Sequence, residues 1–489
     1  MATKKKQKTS LSTILIRVLA VILLIVGLVL IFNKQISNQM ISHNQKSTLT
    51  TLTRKKVEQN QKKKGMFDFN KVKSRNSTMA IKIALLGLGT VGSGVLKIIK
   101  NNQKKIKQTS GEEIVIKKAL VRNPAKHQNL ANEVELTTSF DEILHDSEIK
   151  IVVELMGGLH PAKEYITAAL KAGKNVVTAN KDLMATFGSE LISLAANQQC
   201  DLMYDASVAG GIPILRTLST SYASDIISEI QGIINGTTNY ILSQMSEKGL
   251  SYEAALKMAQ QLGFAEADPT NDVTGKDAAY KIVILSKFAF GTKIGINDFT
   301  IEGINNLQDF DIRQASRMGY VIKLIGIAKN IAGKLFVEVA PCLLPENAIM
   351  AHIKNELNAL QIKSQSLGTA IFTGPGAGSS ATANSVMSDV IAETSNFVKQ
   401  INGRPFSNFS RIMKLTSSED VKYPYYLSFE AEETLFALSK LLSKLEIPIR
   451  EIKRIDKKTV VVTEDISRRQ LQDLAIQDSY LRANYKILQ

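Results

Sequence analysis

Cysteine and histidine are scarce in this 489-residue chain, at two and five residues. Cys200 and Cys342 stand in unrelated segments without metal-ligand spacing, which excludes a disulfide scaffold and fits structural thiols in a reducing compartment. The histidines form no H-x-x-x-H pair, so nothing marks a zinc site. Low-complexity tracts are absent, and 44% hydrophobic with 22% charged residues is an ordinary globular composition. The length leaves room for about three domains of ~150 residues. Acids are rare only at the start. Residues 1–78 hold sixteen Lys or Arg against Glu58 and Asp68, a net of +14 out of the +16 total. The remainder is nearly neutral and offers no basic footprint, so no nucleic-acid partner is expected.

That N-terminal excess has a pattern. Residues 1–10 are basic, and 11–32 form an apolar run in which Arg17 is the sole charge. As a helix the run would be about 33 Å long, enough to cross a ~30 Å hydrocarbon core. No small-x-small site follows it, which argues against a cleaved signal. A lysine-rich stalk, 33–78, comes next. The whole extension is similar to the anchor and stalk of a class A sortase, with no Cys/His/Arg constellation downstream. A single-pass membrane-anchored chain would result, although the basic residues on both sides of the run give the charge rule opposite answers. The extension is expected to be a fused segment without a catalytic part, beside a cytoplasmic catalytic part that begins at Met79.

Ile81 to Leu86 is a short apolar strand, followed directly by Gly87-Leu88-Gly89-Thr90-Val91-Gly92 and a helix from Val95 to Ile99. A strand before and a helix after promote this G-x-G-x-x-G to a dinucleotide loop. Gly87 permits the tight turn, Gly89 admits the pyrophosphate, Gly92 lets helix and strand close, and Thr90 and Val91 bring backbone N–H groups to the phosphates. The second strand ends at Arg122-Asn123, where an NAD site would offer a carboxylate; Arg122 is either a surface residue or the reader of a 2′-phosphate. NADP(H) is therefore preferred, with NAD(H) as the other choice. Strand and helix alternate onward through Lys150–Leu155, Pro161–Ala172 and Asn175–Thr178 to Lys181, which should point into the crevice at a strand end. Thr373-Gly374-Pro375-Gly376-Ala377-Gly378 precedes a second small-residue helix, Ala381–Ile391; by itself it is no better than a loop, and as a glycine-rich approach it would bring Gly376 against the cofactor's phosphate or nicotinamide.

The densest placed charge lies in Phe264–Lys281, FAEADPTNDVTGKDAAYK. Pro269 and Asn271 mark a turn, and from about Val273 the pattern reads as a helix that soon becomes apolar. Asp277 and Lys281 are then i and i+4 on one face. An isolated pair of this kind is most often a solvent-facing salt bridge. At the edge between loop and core, the same groups can be shifted in pKa and poised for proton transfer.

Glu266, Asp268, Pro269, Asp272, Val273, Gly275, Asp277, Ala278 and Lys281 closely resemble the signature of homoserine dehydrogenases. Val153–Gly158, Thr178-Ala179-Asn180-Lys181 and Ile233–Leu242 are similar to further stretches of that family. The resemblance implies an α/β protein: a Rossmann-type domain at 79–212 completed by 373–400, and an α+β substrate and dimerisation domain at 213–372. It implies interconversion of L-homoserine and L-aspartate 4-semialdehyde in a homodimer or higher homo-oligomer. Lys281 would transfer the proton, Lys181 would share the oxygen and lie against the cofactor, and Asp277 would orient the substrate or Lys281. Glu266 and Asp272 would hold the substrate. Two lysines so close should depress each other's pKa. It also implies a monovalent cation such as Na+, held by Asp205 (where the family has glutamate) and by Val208, Gly210 and Ile212. Residues 415–489 read β-α-β-β-α-β and look like a ferredoxin-like ACT module, without its usual D-x-P-G turn. Two other readings share parts of this pattern: another Rossmann oxidoreductase, which would not carry Glu266 to Lys281, and a membrane-anchored amino-acid sensor with an inert dehydrogenase half.

Overall fold

The computed structural model describes residues 80–404, 406–407, 412–417, 419, 421–430 and 435–488. The span expected over 11–32 lies outside them, and no helix among the described residues is long and apolar enough to cross a membrane.

Six strands form the first sheet: β1 (Ile81–Leu86), β2 (Ile114–Leu120), β3 (Glu135–Thr137), β4 (Ile149–Glu154), β5 (Asn175–Thr178) and β6 (Leu202–Met203). They run parallel in the order 3-2-1-4-5-6. Helices α1 (Thr90–Ser110), α2 (Phe140–Leu144), α3 (Ala162–Lys171) and α4 (Lys181–Asn197) connect them. Strands covered on both faces need unbroken apolar runs, and Ile83 to Leu86 are fully buried. The strand order reverses between β1 and β4, the place where such sheets bind ligands. There the two following loops abut, with the backbone of Leu155 3.1 Å from where a Cβ on Gly87 would stand.

The second sheet opens with β7 (Ile227–Ile233), β8 (Thr300–Ile301), β9 (Tyr320–Ile331), β10 (Lys334–Pro345), β11 (Leu357–Ser364), β12 (Gly368–Pro375) and β13 (Lys414–Leu415). Its main path is antiparallel, in the order β12-β11-β7-β9-β10, with β8 and β13 pairing β10. Helices α5 (Ile214–Thr220), α6 (Gly236–Lys248), α7 (Tyr252–Gln261), α8 (Thr270–Val273), α9 (Lys276–Phe290) and α10 (Asp309–Arg317) accompany it. Helix α11 (Ser379–Lys399) returns to the first sheet and packs on α1. Gly94 makes that approach possible, because a Cβ there would meet Ser379 O at 2.8 Å and Ala383 Cβ at 2.9 Å. This helix outruns the expected Ala381–Ile391. Its later turns bury Asp389, Glu393 and Thr394, polar residues that in sequence look like a solvent face.

The C-terminal unit consists of β14 (Lys422–Tyr423), β15 (Tyr425–Glu430), α12 (Leu435–Lys444), β16 (Ile449–Ile455), β17 (Lys458–Thr463), β18 (Ile466–Ser467), α13 (Arg468–Gln477) and β19 (Leu481–Ile487). The β-α-β-β-α-β order is as expected, with a small β14–β18 ribbon beside it. It is not a detached module, however. β19 pairs β10 through Cys342–Lys486 and Leu343–Ile487, so one sheet of eleven strands runs through both parts. Pairing between edges so far apart in sequence leaves no periodicity to read. Both cysteines are free and buried, and burial pushes the Cys200 thiol up to about 11.

Candidate active site

Helix α9 does not begin at Val273. The short α8 ends there, Gly275 adopts φ +81°, and α9 starts at Lys276. A left-handed residue is strained with any side chain, and a Cβ here would also crowd Glu302 O at 3.2 Å. The break drops Asp277 into the first turn of α9, where free N–H groups and the helix dipole favour a carboxylate. One turn on, Lys281 donates to Asp277 Oδ2 at 2.7 Å and to Ile234 O at 2.7 Å. From the first sheet, Lys181 reaches the other oxygen, Asp277 Oδ1. Lys181 opens α4 behind an Asn180 cap, whose Oδ1 accepts from Leu183 N at 3.1 Å. One carboxylate thus bridges two lysines from two helices, α4 and α9. The Asp277 and Lys281 side chains are 6% and 12% exposed, whereas Lys181 is 36% exposed.

Asn235 completes the cluster. Its Nδ2 donates to Asp272 Oδ1 at 2.7 Å and to Asp277 Oδ2 at 2.8 Å, while its Oδ1 caps α6 by accepting from Thr238 N at 2.8 Å. Sequence reasoning placed Asn235 only within a stretch; an asparagine just before a helix was the signal that could have singled it out. Burial alone would raise the Asp277 carboxyl, but Lys281 and Lys181 outweigh it and hold it well below the usual range. For Lys181 burial acts downward, yet Asp277 more than offsets it and the ammonium sits above its ordinary value. For Lys181 this is opposite to the expected depression, because the Asp277 anion stands beside it. Asp272 is raised by burial, against the opposing hydrogen bond from Asn235.

The glycine loop lies at the end of β1. A Cβ on Gly92 would fall 2.4 Å from Gly87 O, whereas one on Gly89 would meet nothing within 4 Å. Gly89 caps α1 with no side-chain bond, so the N–H groups around Thr90 and Val91 have no capping side chain above them. A phosphate group fits that opening. Across the switch point, Glu154 accepts from Met156 N at 2.7 Å, from Gly157 N at 3.2 Å and from Thr178 Oγ1 at 2.6 Å, which fixes the facing loop.

Known proteins place this combination. Residues 87–205 match the family model "Homoserine dehydrogenase, NAD binding domain", and 213–391 match "Homoserine dehydrogenase". A homoserine dehydrogenase of Lactococcus lactis is 41% identical over 413 residues, 82% of this chain and 96% of the relative. The chain belongs to the homoserine dehydrogenase family. Its activity is that of an oxidoreductase of this family. The crystal structure of a homoserine dehydrogenase from Thiobacillus denitrificans superposes with a TM-score of 0.80 at 35% identity, covering 84% of this chain and 98% of that one. A hyperthermophilic archaeal homoserine dehydrogenase, solved in complex with NADPH, gives 0.56 at 26% identity over 66% of this chain and all of that one.

Other site residues expected for a homoserine dehydrogenase are not drawn into the lysine cluster. Glu266 is exposed in the α7–α8 loop, where its backbone oxygen accepts from Gln260 Nε2 at 3.2 Å. Arg122 is exposed two residues past the end of β2. Gly376 lies against Asn358 so closely that a Cβ would stand 2.1 Å from Asn358 Nδ2. Its oxygen packs on the Gly210 loop, 2.5 Å from where a Gly210 Cβ would be. In that loop Asp205 Oδ1 caps α5, accepting from Leu215 N at 2.8 Å and Arg216 N at 3.2 Å. Gly210 O accepts from Ser385 Oγ at 2.6 Å and Ile212 O from Ile214 N at 2.7 Å, while Val208 is buried. A cavity of about 470 Å³ between the later turns of α4 and α9 is lined by Met184, Ile192, Ile284 and Phe288, and includes none of the clustered lysines.

Proposed function

We propose that this chain interconverts L-homoserine and L-aspartate 4-semialdehyde with NADP(H), Lys281 moving the proton at the substrate oxygen. The observation that carries the reading is the bridge from Lys181, at the start of α4, through Asp277 to Lys281 on α9. The nicotinamide supplies or accepts the hydride when bound. Lys281, oriented by Asp277 and by Ile234 O, gives its proton to the oxygen as negative charge develops there, or receives it in reverse. Lys181 remains cationic and stabilises that charge. Asp277 is a positioning residue for both, and Asp272 and Glu266 receive the substrate ammonium. Mixing NADPH, the semialdehyde and the full chain should produce rapid loss of NADPH absorbance with homoserine as product. No turnover, or turnover with unrelated aldehydes alone, would remove the substrate assignment.

The cofactor preference rests on Arg122, which follows β2, the strand whose end carries the ribose-reading residue in dinucleotide folds, and is supported by the NADPH complex of the archaeal relative. Arg122→Ala should raise KM for NADPH about tenfold, the scale of one charge-assisted contact, and leave KM for NADH nearly unchanged. Equal losses with both cofactors would show that Arg122 does not read the phosphate. For the substrate, Glu266→Gln should raise KM for homoserine several-fold with kcat almost unaltered. An unchanged KM would assign the ammonium to Asp272 alone. A monovalent cation such as Na+ would be held at the Asp205 loop, where Asp205 Oδ1 caps α5 and the buried Oδ2 has no hydrogen-bond partner. The C-terminal unit is read as an ACT-like element, and the active assembly as a homo-oligomer.

A further inference from the structure

Lys323, on β9, is 2% exposed, an uncommon place for an ammonium. No acid pairs with it among the described residues. Glu247 acts on it from a distance and is itself bound to Lys354 at 2.6 Å. Burial outweighs the Glu247 charge and pushes the Lys323 pKa down to about 8. A charge so placed costs folding free energy unless hydrogen bonds offset it. Its Nζ donates two, to Asn239 Oδ1 at 2.8 Å and to Ile353 O at 2.6 Å.

Asn239 turns these bonds into a knot. Its Nδ2 donates to Ile353 O at 3.2 Å and to Leu357 O at 3.0 Å. Between those two residues, Asn355 N donates to Ser243 Oγ at 3.1 Å, and Asn355 Oδ1 accepts from Gln244 Nε2 at 3.1 Å. Residues 353–357 are thereby held along the first turns of α6. The fit is tight at the helix start, where a Cβ on Gly236 would fall 2.6 Å from Glu356 O.

The two residues just ahead of that start belong to the candidate active site. Ile234 O accepts from Lys281, and Asn235 Nδ2 donates to Asp272 and Asp277. Asn239 N donates to Asn235 O at 3.2 Å, so one helical turn joins the clamped residue to the site. Close packing on both sides gives that turn little slack, and a shift at Asn239 is passed to Asn235.

We propose that Lys323 is a positioning residue, clamping Asn239 and residues 353–357 onto the start of α6 and so fixing Ile234 O and Asn235, which hold Lys281, Asp272 and Asp277. The clamp stands on the geometry alone; its kinetic consequence rests on the reading of Lys281 as the proton carrier.

Lys323→Met keeps the length of the side chain and removes its charge and donors. In that variant kcat for homoserine oxidation should fall about tenfold, inside the ~10²-fold that a 1 Å misplacement can cost. KM for NADPH should stay close to the parent's. The solvent deuterium isotope effect on kcat should rise, because a misplaced carrier slows the proton step, whereas partial loss of folded protein scales every rate alike. Asn239→Leu removes the other half of the knot, should act in the same way, and serves if Lys323→Met does not fold. In both variants the amides of 236–240 should exchange faster with deuterium, while those of β1 and β4 keep the parent's protection. A parental kcat in the folded variants, or a lower kcat with an unchanged isotope effect, would overturn the positioning role. Unchanged exchange at 236–240 would overturn the clamp. Parental turnover in Lys281→Ala would instead refute the proton carrier, and the exchange result would still decide the clamp.

Discussion

Lys281→Ala should lower kcat for homoserine oxidation by at least ~10²-fold, the usual scale for losing a positioned proton-transfer group. Lys281 is 12% exposed and held by two acceptors, Asp277 Oδ2 and Ile234 O, so its ammonium has little freedom to wander. The same two bonds define what truncation does to the fold. Asp277 keeps Lys181 and Asn235 as partners, so the carboxylate is not orphaned and the variant should remain folded. KM for NADPH should change little, because the glycine loop belongs to the other sheet. Methylamine in the assay should restore part of the rate if the missing group is an amine that moves a proton. Turnover within about threefold of the parent would take Lys281 out of the mechanism and leave Lys181 as the proton carrier.

The first sheet and this pair were legible in the sequence for a physical reason. Parallel strands buried on both faces give continuous apolar runs, and the loop after the first one must be glycine-rich to let Gly92 close on Gly87. Asp277 and Lys281 sit one helical turn apart, so their contact is local. Lys181 was assigned to the same site only through the family resemblance, since its contact with Asp277 spans 96 positions and no local pattern records it. The errors have similar origins. Depression of Lys181 was inferred from proximity without the Asp277 anion beside it. The helix was drawn from Val273 because propensity does not reveal the left-handed Gly275. The sheet's continuity into the C-terminal unit depends on two residue pairs, Cys342–Lys486 and Leu343–Ile487, which no spacing could disclose.

Asp277→Asn should have the broadest effect, on rate, on pH dependence and on stability. The residue carries no substrate atom in the proposed reaction, yet it receives Lys181, Lys281 and Asn235 on its two oxygens. An amide in its place can no longer stand as an anion between two ammoniums, so kcat should fall at least ~10²-fold. Lys181 owes its elevated pKa to Asp277, and without that charge burial should pull it below its ordinary value. The alkaline limb of the rate profile should therefore begin at lower pH in the variant. Removing one partner of a buried ion pair costs on the order of 3–5 kcal/mol, which should appear as a lower denaturant midpoint. The pH sign follows from the direction of the shift. The Asp277 carboxyl is held below its unfolded value, so its contribution is fully present above about pH 4 and is lost as pH falls towards the folded pKa. Parent stability should drop in that acid range, and Asp277→Asn, having no carboxyl to protonate, should show a shallower acid limb. Parallel denaturation series from neutral pH into acid, with rates measured where both proteins are folded, would test all three effects. A variant with the parent's acid limb and an unshifted alkaline limb would mean that Asp277 neither bears the buried charge nor sets the lysines.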